Sequence, residues 1–182
     1  MGKVILVTGG SRSGKSTFAE ELLKDKDEVL YIATAIVTDG EMADRIEKHK
    51  VRRNTNWSTF EGFKDLDKAV TATSSEYILL DCVTVMTTNS MFEKERDFDN
   101  ITQVEIDNLE SEIHKQFDFL IEAVKRENKT IVLVTNEVGS GLVPEYKLGR
   151  IFRDIAGRVN QKLGALSDEV YLVTCGIPLK IK

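Results

Sequence analysis

The sequence has few of the residues that mark specialised protein classes. It contains 2 prolines and 2 cysteines in 182 residues. That composition excludes collagen. Cys82 and Cys175 lie far apart, each in an apolar run and without metal-ligand spacing, which favours neither a disulfide nor a structural zinc site. No apolar run reaches the ~18–20 residues that cross a bilayer, and the N-terminus leads straight into glycines, unlike a signal peptide. We therefore expect a cytoplasmic protein with both cysteines buried.

Basic charge is also scarce. The 25 Lys and Arg residues are outnumbered by 30 Asp and Glu residues, which gives a formal net charge of −5. This balance provides no general attraction to nucleic acid or to an anionic membrane. With 41% hydrophobic and 30% charged residues, the chain fits one globular domain over residues 1–182. A local site must therefore hold any anionic ligand.

Short apolar runs alternate with stretches of helical period. The runs of strand length are Val4–Val7, Val29–Ile32, Tyr77–Leu80, Ile131–Val134 and Val170–Val173. The stretches with helical spacing are Thr17–Leu23, Glu41–Lys50, Phe63–Val70, Val104–Arg126 and Tyr146–Leu163. This alternation predicts an α/β fold in which a mostly parallel sheet is flanked by helices.

Two polar segments interrupt this pattern and predict surface loops. Glu93–Asn100 precedes the longest helical stretch, and Asn136–Pro144 follows the fourth apolar run. Pro144 would suit the first turn of the next helix, where no N–H is needed. At the end of the chain, Ile177–Lys182 predicts an additional strand that forms a hairpin after Gly176.

The most specific motif follows the first predicted strand. It matches the phosphate-loop pattern of Gly, four residues and Gly-Lys-Ser, with the residues Gly9, Gly10, Ser11, Arg12, Ser13, Gly14, Lys15 and Ser16. A strand before the loop and a helix after it would direct backbone N–H groups at a triphosphate. Lys15 would reach the terminal phosphates, and Ser16 would bind Mg²⁺. The alternative is a glycine turn that matches by chance.

Carboxylates and amides follow two other predicted strands. Asp81 ends the third strand, where a magnesium-binding carboxylate is expected; the less favoured alternative is an Asp that caps the following turn. Asn136 and Glu137 follow the fourth strand directly and would lie at the ligand crevice of an open α/β sheet. That segment is either a substrate or metal loop or a structural turn.

One histidine lies beside a cluster of basic residues. His49 ends a stretch of helical period and is followed by Lys50, Arg52 and Arg53. Neighbouring positive charge favours neutral imidazole, the form that acts as a nucleophile or base. From the residues alone, a half-buried or solvated histidine is the alternative. Farther along, Arg150, Arg153 and Arg158 could contact phosphate or could form an ordinary exposed helix face.

Together these blocks resemble the bifunctional adenosylcobinamide kinase and adenosylcobinamide-phosphate guanylyltransferase family of cobalamin biosynthesis. The similarity covers nearly the whole chain. It is carried by Ile5–Ser16, Tyr31–Thr34, Glu41–Ile46 with His49, Val132–Gly139 and Phe152–Gln161. The resemblance implies a P-loop, RecA-like sheet and a homotrimer.

The resemblance also implies two reactions. A nucleoside triphosphate, ATP or GTP, phosphorylates the hydroxyl of adenosylcobinamide. A histidine matching His49 then takes GMP from GTP, and the phosphate of the substrate captures it to form adenosylcobinamide-GDP. Mg²⁺ is the implied cofactor.

The implied nucleotide-binding residues go beyond the phosphate loop. They are Ala33, Thr34, Ala35, Lys50, Val51, Arg52, Arg53, Glu61 and Asp81. Relatives commonly have Arg-Pro where this chain has Arg53-Asn54, and often Glu in place of Asp81, yet either carboxylate can hold Mg²⁺. Two other functions fit the phosphate loop: a small-molecule kinase with one activity, and a regulatory protein switched by nucleotide.

Overall fold

A computed structural model describes residues 2–36 and 54–182 of the chain. The strands in these ranges are β1 (Lys3–Thr8), β2 (Val29–Ala33), β3 (Ser58–Glu61), β4 (Tyr77–Asp81), β5 (Thr130–Val134), β6 (Glu169–Thr174) and β7 (Ile177–Lys180). The helices are α1 (Lys15–Glu21), α2 (Leu66–Ala72), α3 (Val83–Phe92), α4 (Gln103–Arg126) and α5 (Lys147–Leu166). The helix predicted over Glu41–Lys50 lies outside the described residues.

The described strands form one sheet in the order β3-β2-β4-β5-β1-β6-β7. All neighbouring pairs are parallel except β6 and β7, which are antiparallel. The predicted α/β fold with a mostly parallel sheet is therefore confirmed. The predicted C-terminal hairpin strand is confirmed as well.

The sheet is covered on both faces, as its continuous apolar strands predicted. Along β1, Val4 and Leu6 pack into one hydrophobic cluster, whereas Ile5 and Val7 pack into the other. The first cluster contains the buried residues of α2 and α4, all those of α5 except Ala156, and the buried apolar residues of α3, and the second contains Ala19 of α1. Helices α1 and α5 therefore lie on opposite faces of the sheet.

Two elements were not predicted. Strand β3 has the sequence Ser-Thr-Phe-Glu, and most of it is exposed at the edge of the sheet, so no apolar run marked it. Helix α3 contains five threonine or valine residues in its first six positions and is buried on several sides. It therefore lacks both a polar face and the residues that favour helices.

One further prediction about local structure is wrong. Pro144 does not lie in the first turn of a helix, because α5 begins at Lys147 with Tyr146 as its N-cap. The Pro144 ring packs against Gly149 of α5, where an added Cβ would lie 2.7 Å from the proline Cβ. Pro144 thus packs against the beginning of α5 from the preceding loop.

No helix among residues 2–36 and 54–182 is long and apolar enough to span a bilayer.

An ion cluster at the amino ends of β1 and β6 is expected to make stability depend on pH. Glu169 pairs with Lys3 at 2.6 Å and accepts a hydrogen bond from the Tyr171 hydroxyl at 2.6 Å. Hydrogen bonds from Lys3 and Tyr171 lower the pKa of Glu169 from 4.5 to about 2. A carboxyl group whose pKa is lowered by folding stabilises the protein at pH values above its pKa in the unfolded state, near 4.5. That stabilisation is lost as the pH falls towards 2.

We therefore expect Glu169→Gln to lower the free energy of unfolding at pH 7 by about 0.5–1 kcal/mol. Urea unfolding of both proteins from pH 7 to pH 3 would measure the difference, which should shrink below pH 4.5. Glu122→Gln, at an exposed position of α4, is the matched control and should change stability little at any pH. A Glu169→Gln difference that is constant with pH would contradict this account.

Candidate functional site

Five strand residues lie at one level along the carboxyl edge of the sheet. Ala33 pairs with both Glu61 and Asp81, Asp81 pairs with Val134, and Val134 pairs with Val7. The phosphate loop begins two residues after Val7. The predicted nucleotide-site residues at the ends of β2, β3 and β4 therefore share one edge with the loop, where open α/β sheets bind ligands.

The phosphate loop has a backbone that requires its glycines. Gly9 has φ of 155° and Gly14 has φ of 97°. A Cβ at Gly9 would lie 2.3 Å from the backbone oxygen of Val173, and one at Gly14 would lie 3.2 Å from Cα of Gly176. Arg12 also adopts a positive φ, 57°. Any side chain at Gly9 or Gly14 would thus disturb the loop.

Neighbouring segments hold the phosphate loop in place. The N–H of Gly176, in the turn between β6 and β7, donates to the Ser13 carbonyl at 2.9 Å. The N–H of Glu137, after β5, donates to the Gly9 carbonyl at 3.0 Å. The loop is therefore fixed from two sides by backbone hydrogen bonds.

Lys15 lies at the centre of this arrangement. Its side chain is buried, and Nζ donates to the Gly10 carbonyl at 2.7 Å. Burial lowers the pKa of Lys15, while the neighbouring Cys82 and Asp81 act in the opposite direction. Asp81 ends β4, at the same edge of the sheet as the phosphate loop. The next residue, Ser16, is half-buried in the first turn of α1.

Asp81 is oriented by its neighbours. The Tyr31 hydroxyl donates to Asp81 Oδ2 at 3.2 Å. Thr34, which is fully buried, donates its backbone N–H to the Asp81 carbonyl, and its hydroxyl exchanges two 2.8 Å hydrogen bonds with the Cys82 backbone. The Thr34 carbonyl in turn accepts from Asn89 Nδ2 at 2.7 Å. Thr34 therefore supports the segment that carries the carboxylate.

A closed ring of hydrogen bonds lies beside Asp81. The Asn136 N–H donates to Thr84 Oγ1 at 2.7 Å, and Thr135 Oγ1 donates to Asn160 Oδ1 at 2.7 Å. Since Thr135 uses its own proton there, the Thr84 hydroxyl must donate to Thr135 across the 3.2 Å between the two oxygens. Asn160 Nδ2 closes the ring on the Asn136 carbonyl at 3.0 Å. The ring joins α3, the end of β5 and α5.

Comparison with known proteins matches residues 5–181 to the cobinamide kinase / cobinamide phosphate guanyltransferase family. This chain belongs to that family. It is 49% identical to the bifunctional adenosylcobalamin biosynthesis protein CobU of Escherichia coli strain K12, over 98% of this chain and 99% of the relative. The CobU of Salmonella typhimurium strain LT2 is 50% identical over the same shares. The CobP of Pseudomonas aeruginosa is 33% identical over 97% of this chain and 96% of the relative.

The family resemblance and the structure bring together most of the predicted site. The phosphate loop, Ala33–Ala35, Glu61 and Asp81 all lie at the carboxyl edge of the sheet. Their individual contacts with nucleotide stay predictions. His49, Lys50, Val51, Arg52 and Arg53 lie outside the described residues.

The sequence analysis missed the residues that support this site. Thr84 and Asn89 belong to α3, which was not predicted, and Asn160 was noted only within a family block. The threonines and the asparagine that lie close together in α3 could have indicated these contacts, because both residue types form hydrogen bonds with neighbouring backbone groups. Their partners on β5 and α5 could be identified only from the fold.

The two cysteines differ from each other. Cys82 is buried, and this burial raises its pKa to about 12, with Asp81 acting in the same direction. Cys175 is exposed, which corrects the prediction that both would be buried. It lies in the turn after β6 with φ of 53°. The described residues contain no group of three or more His, Cys, Asp or Glu side chains that could hold a metal ion by themselves.

Proposed function

We propose that this chain carries out both reactions of its family at one nucleotide site, with His49 as the guanylyl carrier. The substrates are adenosylcobinamide and, after its phosphorylation, adenosylcobinamide phosphate. The observation that carries the proposal is a fully formed phosphate loop, with Lys15 buried in it and Asp81 at the same edge of the sheet, in a chain that matches the family over residues 5–181.

In the first reaction, the hydroxyl oxygen of the acceptor attacks the γ-phosphorus of ATP or GTP. The new O–P bond replaces the bond to the β-phosphate oxygen, and a nucleoside diphosphate leaves. The hydroxyl proton is released to solvent or to a nearby base. Backbone N–H groups of the loop and Lys15 stabilise the charge on the transferred group and on the leaving oxygen.

In the second reaction, neutral His49 attacks the α-phosphorus of GTP. A P–N bond forms, the bond to the pyrophosphate oxygen breaks, and pyrophosphate leaves. An oxygen of the acceptor phosphate then attacks the same phosphorus, which releases His49 and forms a pyrophosphate linkage. Cationic Lys50, Arg52 and Arg53 favour both the neutral imidazole and the charge on the leaving pyrophosphate.

Mg²⁺ fits the residues at this edge. Asp81 supplies a carboxylate and Ser16 a hydroxyl, and both are hard oxygen ligands of the kind that Mg²⁺ prefers alongside substrate phosphates. When bound, Mg²⁺ would neutralise charge on the phosphates. Tyr31 and Thr34 would keep the Asp81 carboxylate in position for it.

Asp81→Asn is expected to lower the rate of both reactions by roughly 100-fold at low Mg²⁺, because a neutral amide binds the cation poorly. The rate measured against Mg²⁺ concentration should reach its half-maximum at a higher concentration than in the wild type. Asp25→Asn, exposed after α1, is the matched control. An unchanged Mg²⁺ dependence of Asp81→Asn would remove this residue from the metal site.

The direct test of the function follows the products. The protein is incubated with adenosylcobinamide, Mg²⁺ and either ATP alone or ATP with GTP. The corrinoids are then separated and identified by mass spectrometry. We expect the monophosphate with ATP alone and the GDP adduct when GTP is present. Accumulation of the monophosphate with both nucleotides would favour the single-activity kinase, and an unchanged corrinoid would favour the regulatory switch.

We further propose that the chain forms a homotrimer in the cytoplasm. Large apolar side chains are exposed on β7 and after it, with Ile177 71%, Leu179 60% and Ile181 58% accessible. Such a row on an edge strand favours association with another chain. Two free cysteines agree with a reducing compartment. Sedimentation equilibrium should give three times the chain mass, and a monomer would contradict this part of the proposal.

A further inference from the structure

Helix α5 carries three arginines, and the structure separates them. Arg158 donates from Nε and Nη2 to the two carboxylate oxygens of Glu110 at 2.6 and 2.7 Å. Arg150 donates from Nη1 to the carbonyl of Pro144 at 3.1 Å and also to that of Glu145. Both side chains are therefore already committed to partners within the protein.

Arg153 differs from these two. It is half-buried, and its Nη1 has no solvent exposure and no hydrogen-bond partner in the described part of the chain. A guanidinium has five N–H donors and keeps its charge at any physiological pH. Leaving the Nη1 N–H groups of this cation buried and unpaired is unfavourable, and an anion at the guanidinium would offset that cost.

The ring of hydrogen bonds through Asn160 fixes the position of Arg153 relative to the carboxyl end of β5. Asn160, seven residues later on α5, bonds to the Asn136 carbonyl and to Thr135 at the carboxyl end of β5. Seven residues make almost two complete helical turns, so Arg153 and Asn160 share one helix face and lie about 10.5 Å apart along the axis. Since α5 runs back from the carboxyl edge of the sheet, Arg153 lies beyond the ends of the strands.

The helix face between them is open. Gly157 lies one turn from each residue on that same face. A Cβ added at Gly157 would meet no heavy atom of a neighbouring segment within 4 Å. Arg153, Gly157 and Asn160 therefore lie along one face of α5 next to the site, with open space at Gly157 and the cationic residue at the outer end of that face.

This space lies on the other side of the sheet from the helix that follows the phosphate loop. Helix α1 packs on the face that contains Ile5 and Val7, whereas α5 packs on the face that contains Val4 and Leu6. In the proposed function, the phosphate loop and the N-terminus of α1 bind the nucleotide phosphates. An anion beside Arg153 would therefore approach the site from the opposite side, as the second reactant of a transfer must.

We propose that Arg153 binds the phosphate group of the acceptor in the guanylyl transfer step. This inference rests on the proposed function, in which the acceptor is a hydroxyl compound in the first reaction and a phosphate monoester in the second. A guanidinium forms paired, charge-assisted hydrogen bonds with a phosphate monoester and only weak contacts with an alcohol. Arg153 is thus a binding residue that distinguishes the phosphorylated acceptor from its precursor.

The test measures each half of the chemistry separately in Arg153→Gln. With adenosylcobinamide phosphate as acceptor, KM should rise roughly 10- to 100-fold, the loss expected for a charged hydrogen bond. The KM for adenosylcobinamide in the phosphorylation step should change by less than roughly threefold, and formation of the GMP adduct from GTP should not change. Arg150→Gln, one turn away on the same helix, is the matched control and should leave all three values as in the wild type.

Two further variants keep the test decisive if Arg153→Gln folds poorly. Arg153→Lys retains the charge without the fork and should show an intermediate KM. Gly157→Leu favours the helix but fills the open space, so it should raise the KM for the phosphorylated acceptor with Arg153 intact.

An unchanged KM for adenosylcobinamide phosphate in these variants would overturn the inference. Loss of the GMP adduct in Arg153→Gln would also overturn it, because Arg153 would then act on the nucleotide. Failure of the wild type to form any adduct would instead count against the proposed function and is read from a separate measurement.

Discussion

Lys15→Gln is expected to slow both phosphorylation and guanylyl transfer by about 10²–10³-fold. The ammonium is buried inside the phosphate loop, where Nζ is 2.7 Å from the Gly10 carbonyl, and it supplies positive charge that glutamine cannot. In a water-poor site, removal of one such group typically costs that much in rate. Steady-state kinetics of each reaction, with KM for nucleotide and kcat determined separately, would measure the effect.

The control for this variant is Lys24→Gln. Lys24 follows α1, is exposed and pairs with Glu21, away from the phosphate loop. Both reactions of Lys24→Gln should resemble the wild type. If Lys15→Gln were well folded and retained either reaction at near wild-type rate, that reaction would not use the phosphate loop.

His49→Ala is expected to separate the two reactions. Guanylyl transfer should fall by at least roughly 10³-fold, because loss of a covalent nucleophile removes the intermediate itself. Phosphorylation of adenosylcobinamide should continue, since the acceptor hydroxyl attacks the γ-phosphorus without a histidine. Product analysis with ATP and GTP present should show the monophosphate accumulating.

The other histidine of the chain is the natural control. His114 lies on α4, with Nε2 3.4 Å from a carboxylate oxygen of Glu110, and burial lowers its pKa. His114→Ala should form both products. Equal loss of phosphorylation and guanylyl transfer in His49→Ala would contradict the separation and would indicate a general defect in nucleotide binding.

The sequence predicts the centre of the sheet well and its periphery poorly. Strands such as Val4–Val7 and Ile131–Val134 are buried on both faces, so their side chains are apolar without interruption. Strand β3 lies at an edge, where burial does not restrict its residues. Helix α3 is stabilised by its surroundings rather than by its composition, so its threonines gave a misleading local signal.

The candidate site likewise contains parts that the sequence predicts and parts that it does not. The phosphate loop is predictable because the backbone itself binds phosphate, which limits Gly9 and Gly14 to glycine. The contacts of Thr34 with the Cys82 backbone and of Asn160 with Asn136 join residues 48 and 24 positions apart. No spacing rule covers such pairs, because they arise only when the strands and helices have been placed. For the same reason, the sequence could not predict that Arg158 pairs with Glu110 whereas Arg153 keeps an unpaired Nη1.

The measurement that tests the central claim most directly is the intact mass of the protein after incubation with GTP and Mg²⁺. The account predicts that the wild type gains the mass of one guanylyl group, which is GMP less one water, through an acid-labile and alkali-stable bond typical of a phosphoramidate. His49→Ala should gain nothing. Subsequent addition of adenosylcobinamide phosphate should remove the adduct. No gain in wild-type protein that demonstrably binds GTP, or an equal gain in His49→Ala, would contradict a guanylyl carrier at His49.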